Sequence, residues 1–131
     1  MADATNKTIY PETMWAGSQH SFDLAVQAHT MIMAAGADLP NQDQEDTPFN
    51  FMLHGNVGVV EIKGSLTNRD SPLNRYYGVT SYGDVRNAVI HAANHPDVKA
   101  ILLDIDSGGG AVNGVADTGD FISMIDSTVK P

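Results

Sequence analysis

The stretch "AILLDIDSGGGAVNG", residues 100–114, decides how this chain is interpreted. Its first seven residues are almost wholly apolar, which is typical of a strand covered on both faces. Three consecutive glycines follow, and the pattern "VNGVADTGDFISMIDS" then predicts a helix. A buried strand that enters a helix through a glycine turn indicates an α/β fold.

Two further elements precede this stretch. "NVGVVEIKGSLTNR" alternates with period two and is rich in β-branched residues, so it predicts a strand. "TSYGDVRNAVIHAANHPDVKA" predicts a helix that begins near Thr80 or Ser81 and ends before Pro96. The order strand, helix, strand, helix is a βαβα unit with parallel strands. The apolar positions expected to face the core are Val85, Ala88, Val89 and Ala92 in the first helix, and Val115, Gly119, Ile122 and Ile125 in the second.

The N-terminal third of the chain predicts an extension with one helix, at about 21–36. Ser21 is the expected N-cap and Gly36 the expected stop. The apolar face of this helix is expected at Leu24, Ala28, Met31 and Ala35. The acidic, proline-containing segment "ADLPNQDQEDTPFN" predicts a linker. The expected organisation is therefore an extension over 1–50 and an α/β domain over 56–131.

Composition excludes several kinds of partner and site. The formal net charge is −9 and the seven basic residues are scattered, so neither nucleic acid nor an anionic membrane is an expected partner. The lack of cysteine excludes disulfides, thiolate metal sites and a cysteine nucleophile. The start has no signal-peptide pattern, and no apolar run approaches the ~18 residues of a membrane span. A cytoplasmic, non-secreted protein is expected.

The glycine turn is compatible with several kinds of site. "DSGGG" resembles the trypsin-like nucleophile motif with Ser107 as nucleophile, but that fold has two antiparallel barrels and a longer chain. "LLDID" resembles the haloacid-dehalogenase phosphatases, with Asp104 and Asp106 as the acidic pair, but Gly108 departs from that motif. A dinucleotide-binding turn that begins at Gly108 would need glycine where Asn113 stands.

"LLDIDSGGGAVNGV" closely resembles the "DSPGG" segment of the SppA-like (signal peptide peptidase A family) serine peptidases. That family includes phage prohead proteases and shares the ClpP/crotonase fold. The resemblance extends through "GVVEIKGSL", "SYGDVRNAVIHAANHPDVKA", "VNGVADTGDFI" and "VKP", and so covers residues 57–131. It implies that this region is the N-terminal part of a ClpP/crotonase-like peptidase domain. The phage branch looks closer because the sequence shows no membrane anchor.

The resemblance also implies roles for the residues of the turn. Acyl-transfer catalysis needs backbone N–H groups aimed at the developing oxyanion, and glycines allow the close approach this requires. By resemblance the oxyanion hole is Gly109 and Gly110, and the residues beside the substrate backbone are Ala111 and Val112. The residues expected to support the turn are Asp106, Ser107 and Gly108. From the residues alone, the glycines are equally compatible with a tight connection between strand and helix.

The implied enzyme is a serine endopeptidase with a Ser–Lys dyad that processes phage scaffold or capsid proteins, and the family implies homo-oligomers. Its nucleophile and base are expected after "VKP", so residues 1–131 alone are expected to be inert; Ser123, Ser127 and Lys130 do not match the family motif. No cofactor or metal is expected, although His91 and His95 have helical spacing. The alternatives are a non-catalytic assembly or scaffolding fragment and a crotonase-like acyl-CoA-binding protein.

Overall fold

The structure is a computed structural model that describes residues 14–35 and 47–131. The described strands are β1 (Trp15–Gly17), β2 (Phe51–His54), β3 (Val57–Lys63), β4 (Ser65–Thr67), β5 (Val79–Ser81), β6 (Ala100–Asp106) and β7 (Gly109–Ala111). The helices are α1 (Gln19–Ala35), α2 (Tyr82–Asn94) and α3 (Val115–Thr128), with a 3₁₀ turn at Asn74–Tyr76. The predicted α/β class is confirmed, and β3, α2, β6 and α3 follow in the predicted order.

The first sheet has the order β2-β3-β6. Strands β3 and β6 are parallel, with Val57 opposite Ala100 and Lys63 opposite Asp106, and α2 lies in the connection between them. Strand β2, which the sequence did not predict, forms an antiparallel hairpin with β3. The predicted parallel pair is therefore the central feature of this sheet.

The second sheet has the order β1-β7-β4-β5 and consists of strands of three residues. Strand β4 pairs in parallel with β5 and with β7, whereas β1 pairs antiparallel with β7. Gly64 separates β3 from β4 and adopts φ +75°, so the chain passes from one sheet to the other at this residue. Positive φ is a conformation that glycine adopts without steric cost.

The main hydrophobic core lies between the first sheet and α2. The predicted strand is confirmed, and its alternating pattern places Gly58, Val60 and Ile62 in the interior. The predicted face of α2 is also confirmed, because all four of its positions are buried. Ile125 of α3 completes the cluster, and Phe121 and Ile122 pack against it. The fully buried side chains of this core include Val60, Ala88, Val89 and Ala92.

Three predictions about burial were wrong. Strand β6 is not covered on both faces: Leu102 is 54% and Ile105 is 62% exposed, because β6 borders the sheet in the described part of the chain. In α3, Val115 and Gly119 are exposed, and Thr118 lies buried on the inner face instead. The predicted apolar face of α1 is confirmed at Ala28, which is buried, but it was wrong at Leu24 and Met31, which are 47% and 44% exposed.

Helix α1 instead packs through small residues. Ser21, Ala25 and Ala28 are buried, and the Ser21 hydroxyl lies 2.8 Å from the Ser65 hydroxyl of β4. Small side chains allow the helix to approach the sheet closely, which leaves its larger side chains outside. The N-cap is Ser18 rather than Ser21, because Ser18 Oγ accepts a hydrogen bond from the Ser21 N–H. The predicted stop at Gly36 lies outside the described residues.

The start of α2 is held by a capping box. Ser81 Oγ accepts a hydrogen bond from the Asp84 N–H, and the Asp84 carboxylate accepts one from the Ser81 N–H. Ser81 Oγ also donates to Asp70 Oδ1 at 2.6 Å. Burial raises the pKa of Asp84 and the nearby Asp70 charge adds to this, while the hydrogen bonds from Ser81 oppose it.

We expect Asp84 to make the fold less stable as pH rises. A carboxyl whose pKa is raised on folding stabilises the fold below its unfolded pKa, near the ordinary value of 3.8, and this contribution is lost as pH rises through the folded pKa. The unfolding free energy of the parent should therefore fall relative to that of Asp84→Asn as pH rises from about 3 to about 6. Urea unfolding across this range measures it, with Asp117→Asn, an exposed position in the first turn of α3, as control. A difference that shifts in favour of the parent as pH rises would contradict the assignment.

Candidate functional site

The glycine turn joins β6 to β7 and is tied to the point where the chain changes sheets. Ser107 Oγ donates a hydrogen bond to the Gly64 carbonyl at 2.6 Å and accepts one from the Gly109 N–H at 3.2 Å. The Gly64 N–H donates in turn to the Asp106 carbonyl at 3.0 Å. The Ser107 hydroxyl is thus engaged within the turn.

The residues after the turn form the short strand β7. Gly110 and Ala111 are buried, whereas Val112 is 37% exposed. A Cβ on Gly110 would collide with the side chain and backbone of Leu66, and would lie 2.5 Å from the Leu66 carbonyl oxygen. Gly109 has φ +118°, and a Cβ there would collide with the backbone of β1. Both glycines are therefore required by the packing of this sheet.

One edge of β7 is occupied by the N-terminal strand β1. Trp15 is opposite Ala111 and Gly17 is opposite Gly109 in an antiparallel register. The sequence did not predict β1, because three residues are too few to show a period. The residues that the resemblance assigned to the oxyanion hole and the substrate strand thus lie together, beside a segment of the same chain.

Gly108 stands where the resembling family usually has proline. A Cβ on Gly108 would lie 2.8 Å from the Ser21 Cβ and 3.1 Å from Ser18 Oγ. The first turn of α1 therefore fills the space that a side chain at this position would need. A proline at position 108 would therefore collide with α1 in its present position.

Tyr82, which the sequence did not single out, supports the far end of β7. Its hydroxyl donates a hydrogen bond to the Ala111 carbonyl, and its ring lies next to Gly114. Burial raises the pKa of Tyr82, which favours the protonated phenol that donates this hydrogen bond. The first residue of α2 thus positions the end of the candidate site.

Asp106, at the end of β6, was expected to support the turn. The hydroxyl of Ser107 accepts the hydrogen bond from the Gly109 N–H. Asp104 Oδ2 lies 3.6 Å from Lys63 Nζ, and both side chains are about half exposed. Exposed ion pairs of this kind contribute little to stability.

The two histidines with helical spacing lie away from the glycine turn. The His91 and His95 rings contact the Phe51 ring, with centroids 4.6 and 5.9 Å away. Within residues 14–35 and 47–131, no group of three or more histidine, aspartate or glutamate side chains is arranged to hold a metal ion. In the same part of the chain, no helix combines the length and the apolar character that crossing a membrane requires.

Sequence comparison relates the chain to two phage proteins. It is 30% identical over 102 residues to "Capsid assembly protease C" of Escherichia phage lambda, which is 78% of this chain and 22% of that protein. It is 32% identical over 66 residues to "Head-tail preconnector protein GP5" of Enterobacteria phage P21, or 50% of this chain and 13% of that protein. The chain thus spans less than a quarter of either relative. No protein-family profile and no solved structure matches it.

Proposed function

We propose that residues 57–131 are the N-terminal part of a ClpP/crotonase-like serine endopeptidase domain, in a polypeptide that processes phage head proteins during capsid assembly. The observation that carries this proposal is the similarity to the lambda capsid assembly protease over 78% of the chain. The parallel pair β3–β6, which leads into a glycine turn and then a helix, is compatible with such a domain.

In this proposal Gly109 and Gly110 supply the region that binds the oxyanion. The carbonyl oxygen of a scissile peptide becomes negative when a nucleophile attacks it, and fixed backbone N–H groups stabilise that charge. Ala111 and Val112 would lie beside the substrate backbone, and Asp106, Ser107 and Gly108 would hold the turn. The turn is fixed through Ser107 and Gly64. Because the Gly109 N–H donates to Ser107 Oγ in this structure, that bond has to open before this N–H can bind an oxyanion. The Ser–Lys dyad is expected on the polypeptide outside residues 1–131.

The proposed substrates are polypeptides, with scaffold or capsid proteins as the first candidates. We also propose that the protein forms homo-oligomers and acts in the host cytoplasm or the procapsid. These assignments follow the implied peptidase family and the head-assembly context of the relatives.

The test is a cleavage assay with the full polypeptide that contains this chain. The protein is incubated with the head proteins encoded beside it, and products are identified by mass spectrometry. We expect discrete cleavage that a serine-directed covalent inhibitor abolishes. Intact head proteins after prolonged incubation with folded protein would rule the peptidase function out.

A non-catalytic assembly role is the second candidate. The exposed Leu102 and Ile105 side chains of β6 favour it, because apolar side chains exposed on a border strand are suited to pairing with another chain. In that case Leu102→Ser with Ile105→Ser would impair head assembly, although no head protein is cleaved by the parent. Cleavage by the parent would decide for the peptidase.

A further inference from the structure

The edge of β7 that faces β1 is suited to pairing with an extended polypeptide strand. Polypeptides that bind as extended strands pair through backbone hydrogen bonds with a free strand edge. Strand β4 covers one edge of β7, so the opposite edge is the one where a substrate strand would pair under the proposed function. In this structure β1 occupies that edge.

The segment Met14–Ser18 runs along the whole of this edge, from Val112 to Gly108. At one end the Val112 N–H donates to the Met14 carbonyl at 2.8 Å, and at the other the Ser18 N–H donates to the Gly108 carbonyl at 2.8 Å. Between these bonds, β1 is paired with Gly109–Ala111. A substrate strand cannot use the same backbone groups while Met14–Ser18 is in place.

The fit between the two strands is selective at one position. A Cβ on Gly17 would lie 2.5 Å from the Gly108 carbonyl oxygen and 2.8 Å from the Gly109 Cα, both backbone atoms. Real Cβ atoms essentially never come so close, and the backbone cannot rotate away as a flexible side chain could. The edge thus accepts an extended strand with glycine opposite Gly109.

The segment is anchored by α1 rather than by the main core. The Trp15 ring packs edge-on against Phe22, with centroids 5.2 Å apart, and Ser18 caps the helix. The helix is fixed to β4 by the buried pair Ser21 and Ser65. Release of the segment therefore requires changes at these few contacts and leaves the β3–α2–β6 core intact.

We propose that Met14–Ser18 is an autoinhibitory strand that occupies the substrate edge of β7 and must leave before another polypeptide can pair there. The vacated edge selects an extended polypeptide with glycine opposite Gly109. This inference rests on the proposed function, because that function makes the edge a substrate site. The apparent affinity for substrate is then reduced by the fraction of molecules in which the segment has left.

The first experiment compares Gly17→Ala with Gly119→Ala in the full polypeptide. The added methyl collides with backbone at position 17, whereas no atom lies within 4 Å of the corresponding position at Gly119. Three quantities are measured for each variant. They are the hydrogen exchange of the amides of residues 108–112, the affinity for a labelled peptide with the sequence of residues 13–19, and the rate of head-protein cleavage. In Gly17→Ala we expect faster exchange of these amides. We also expect peptide affinity and the rate of head-protein cleavage to rise about tenfold, whereas Gly119→Ala should match the parent in all three measurements. The same peptide with valine in place of Gly17 should not bind.

A second variant holds the segment closed. The Ser21 and Ser65 Oγ atoms are 2.8 Å apart, so cysteines at these two positions would face each other, and the chain contains no other cysteine. We expect Ser21→Cys with Ser65→Cys to lose peptide binding when oxidised and to regain it when reduced.

The outcomes separate the two proposals. The proposal of an autoinhibitory strand would be wrong if Gly17→Ala exchanges faster at residues 108–112 but binds the peptide no more tightly. It would also be wrong if exchange at these residues is unchanged in Gly17→Ala. If Gly17→Ala binds the peptide more tightly but no variant cleaves any head protein, the proposed peptidase function is wrong. The proposal that the edge of β7 binds a strand would still hold. Cleavage that is equal in the oxidised and reduced double-cysteine variant would keep the peptidase and reject the autoinhibition.

Discussion

Replacing Gly64 with alanine is expected to destabilise the fold by about 2–5 kcal/mol. Two effects combine at this residue. The φ of +75° disfavours any side chain, and an added Cβ would collide with the Gly78 carbonyl oxygen and lie 2.9 Å from its carbon. The strain is placed where β3 ends and β4 begins, so both sheets are affected. Urea unfolding of the 131-residue chain measures the loss.

Gly55→Ala is the matched control for this change. Gly55 has φ +65°, but no atom lies within 4 Å of the position of its Cβ. We expect this variant to lose only the conformational part, about 1–2 kcal/mol. Equal losses of unfolding free energy in the two variants would show that the Gly78 backbone can move aside. The connection between the sheets at Gly64 would then not be rigid.

Gly110→Ala is expected to lower kcat/KM of the full polypeptide about 10²- to 10³-fold, the range seen when one oxyanion donor is lost. The added Cβ would lie 2.5 Å from the Leu66 carbonyl oxygen, so β7 has to shift away from β4. A shift of the strand moves the backbone N–H groups that the proposed function assigns to the oxyanion. Cleavage of a head-protein substrate under steady-state conditions gives the ratio.

Gly119→Ala serves as control here too, because Gly119 is exposed on α3 and a Cβ there meets open space. Circular dichroism must show that both variants keep the parent fold. A folded Gly110→Ala protein with parental kcat/KM would remove Gly110 from the proposed oxyanion region. Its glycine would then have only a packing role against Leu66.

Some elements could be predicted because their signals are local. The period-two pattern of β3 and the start of α2 near Ser81 each depend on a few neighbouring residues, and both predictions are confirmed. The buried face of α2 follows from the same short-range periodicity. The parallel pairing of β3 with β6 also followed, since a helix between two strands is the usual way to connect parallel neighbours.

The missed features depend on distant parts of the chain. The three-residue strands of the second sheet have no period of their own and exist only because they pair with one another. Leu24 and Met31 were wrongly placed on the inner face of α1, because large apolar residues usually point inward. Here the small residues Ser21 and Ala25 allow a close approach to β4 instead. The apolar run of β6 does not reveal that its border lacks a covering strand in the described residues.

The candidate site was predictable only in part. The glycines of the turn are visible in the sequence, and a resemblance assigned roles to Gly109 and Gly110 that stay predictions. Nothing local links Trp15 with Ala111 or Tyr82 with the end of β7, because these contacts join residues far apart in sequence. Strand β1, which pairs with β7 beside the glycine turn, was therefore missed.

The pairing of β1 with β7 also fixes an order in time. Residues 15–17 are synthesised well before residues 109–111, and at 5–20 residues per second the delay is roughly 5 to 20 s. Contacts between such distant residues form slowly, because a long loop must close before they can form. We therefore expect newly made chains to complete the β3–α2–β6 unit with the edge of β7 still open. In each new molecule the edge of β7 would therefore be accessible to another strand for a short time, before its own N-terminal strand pairs with it.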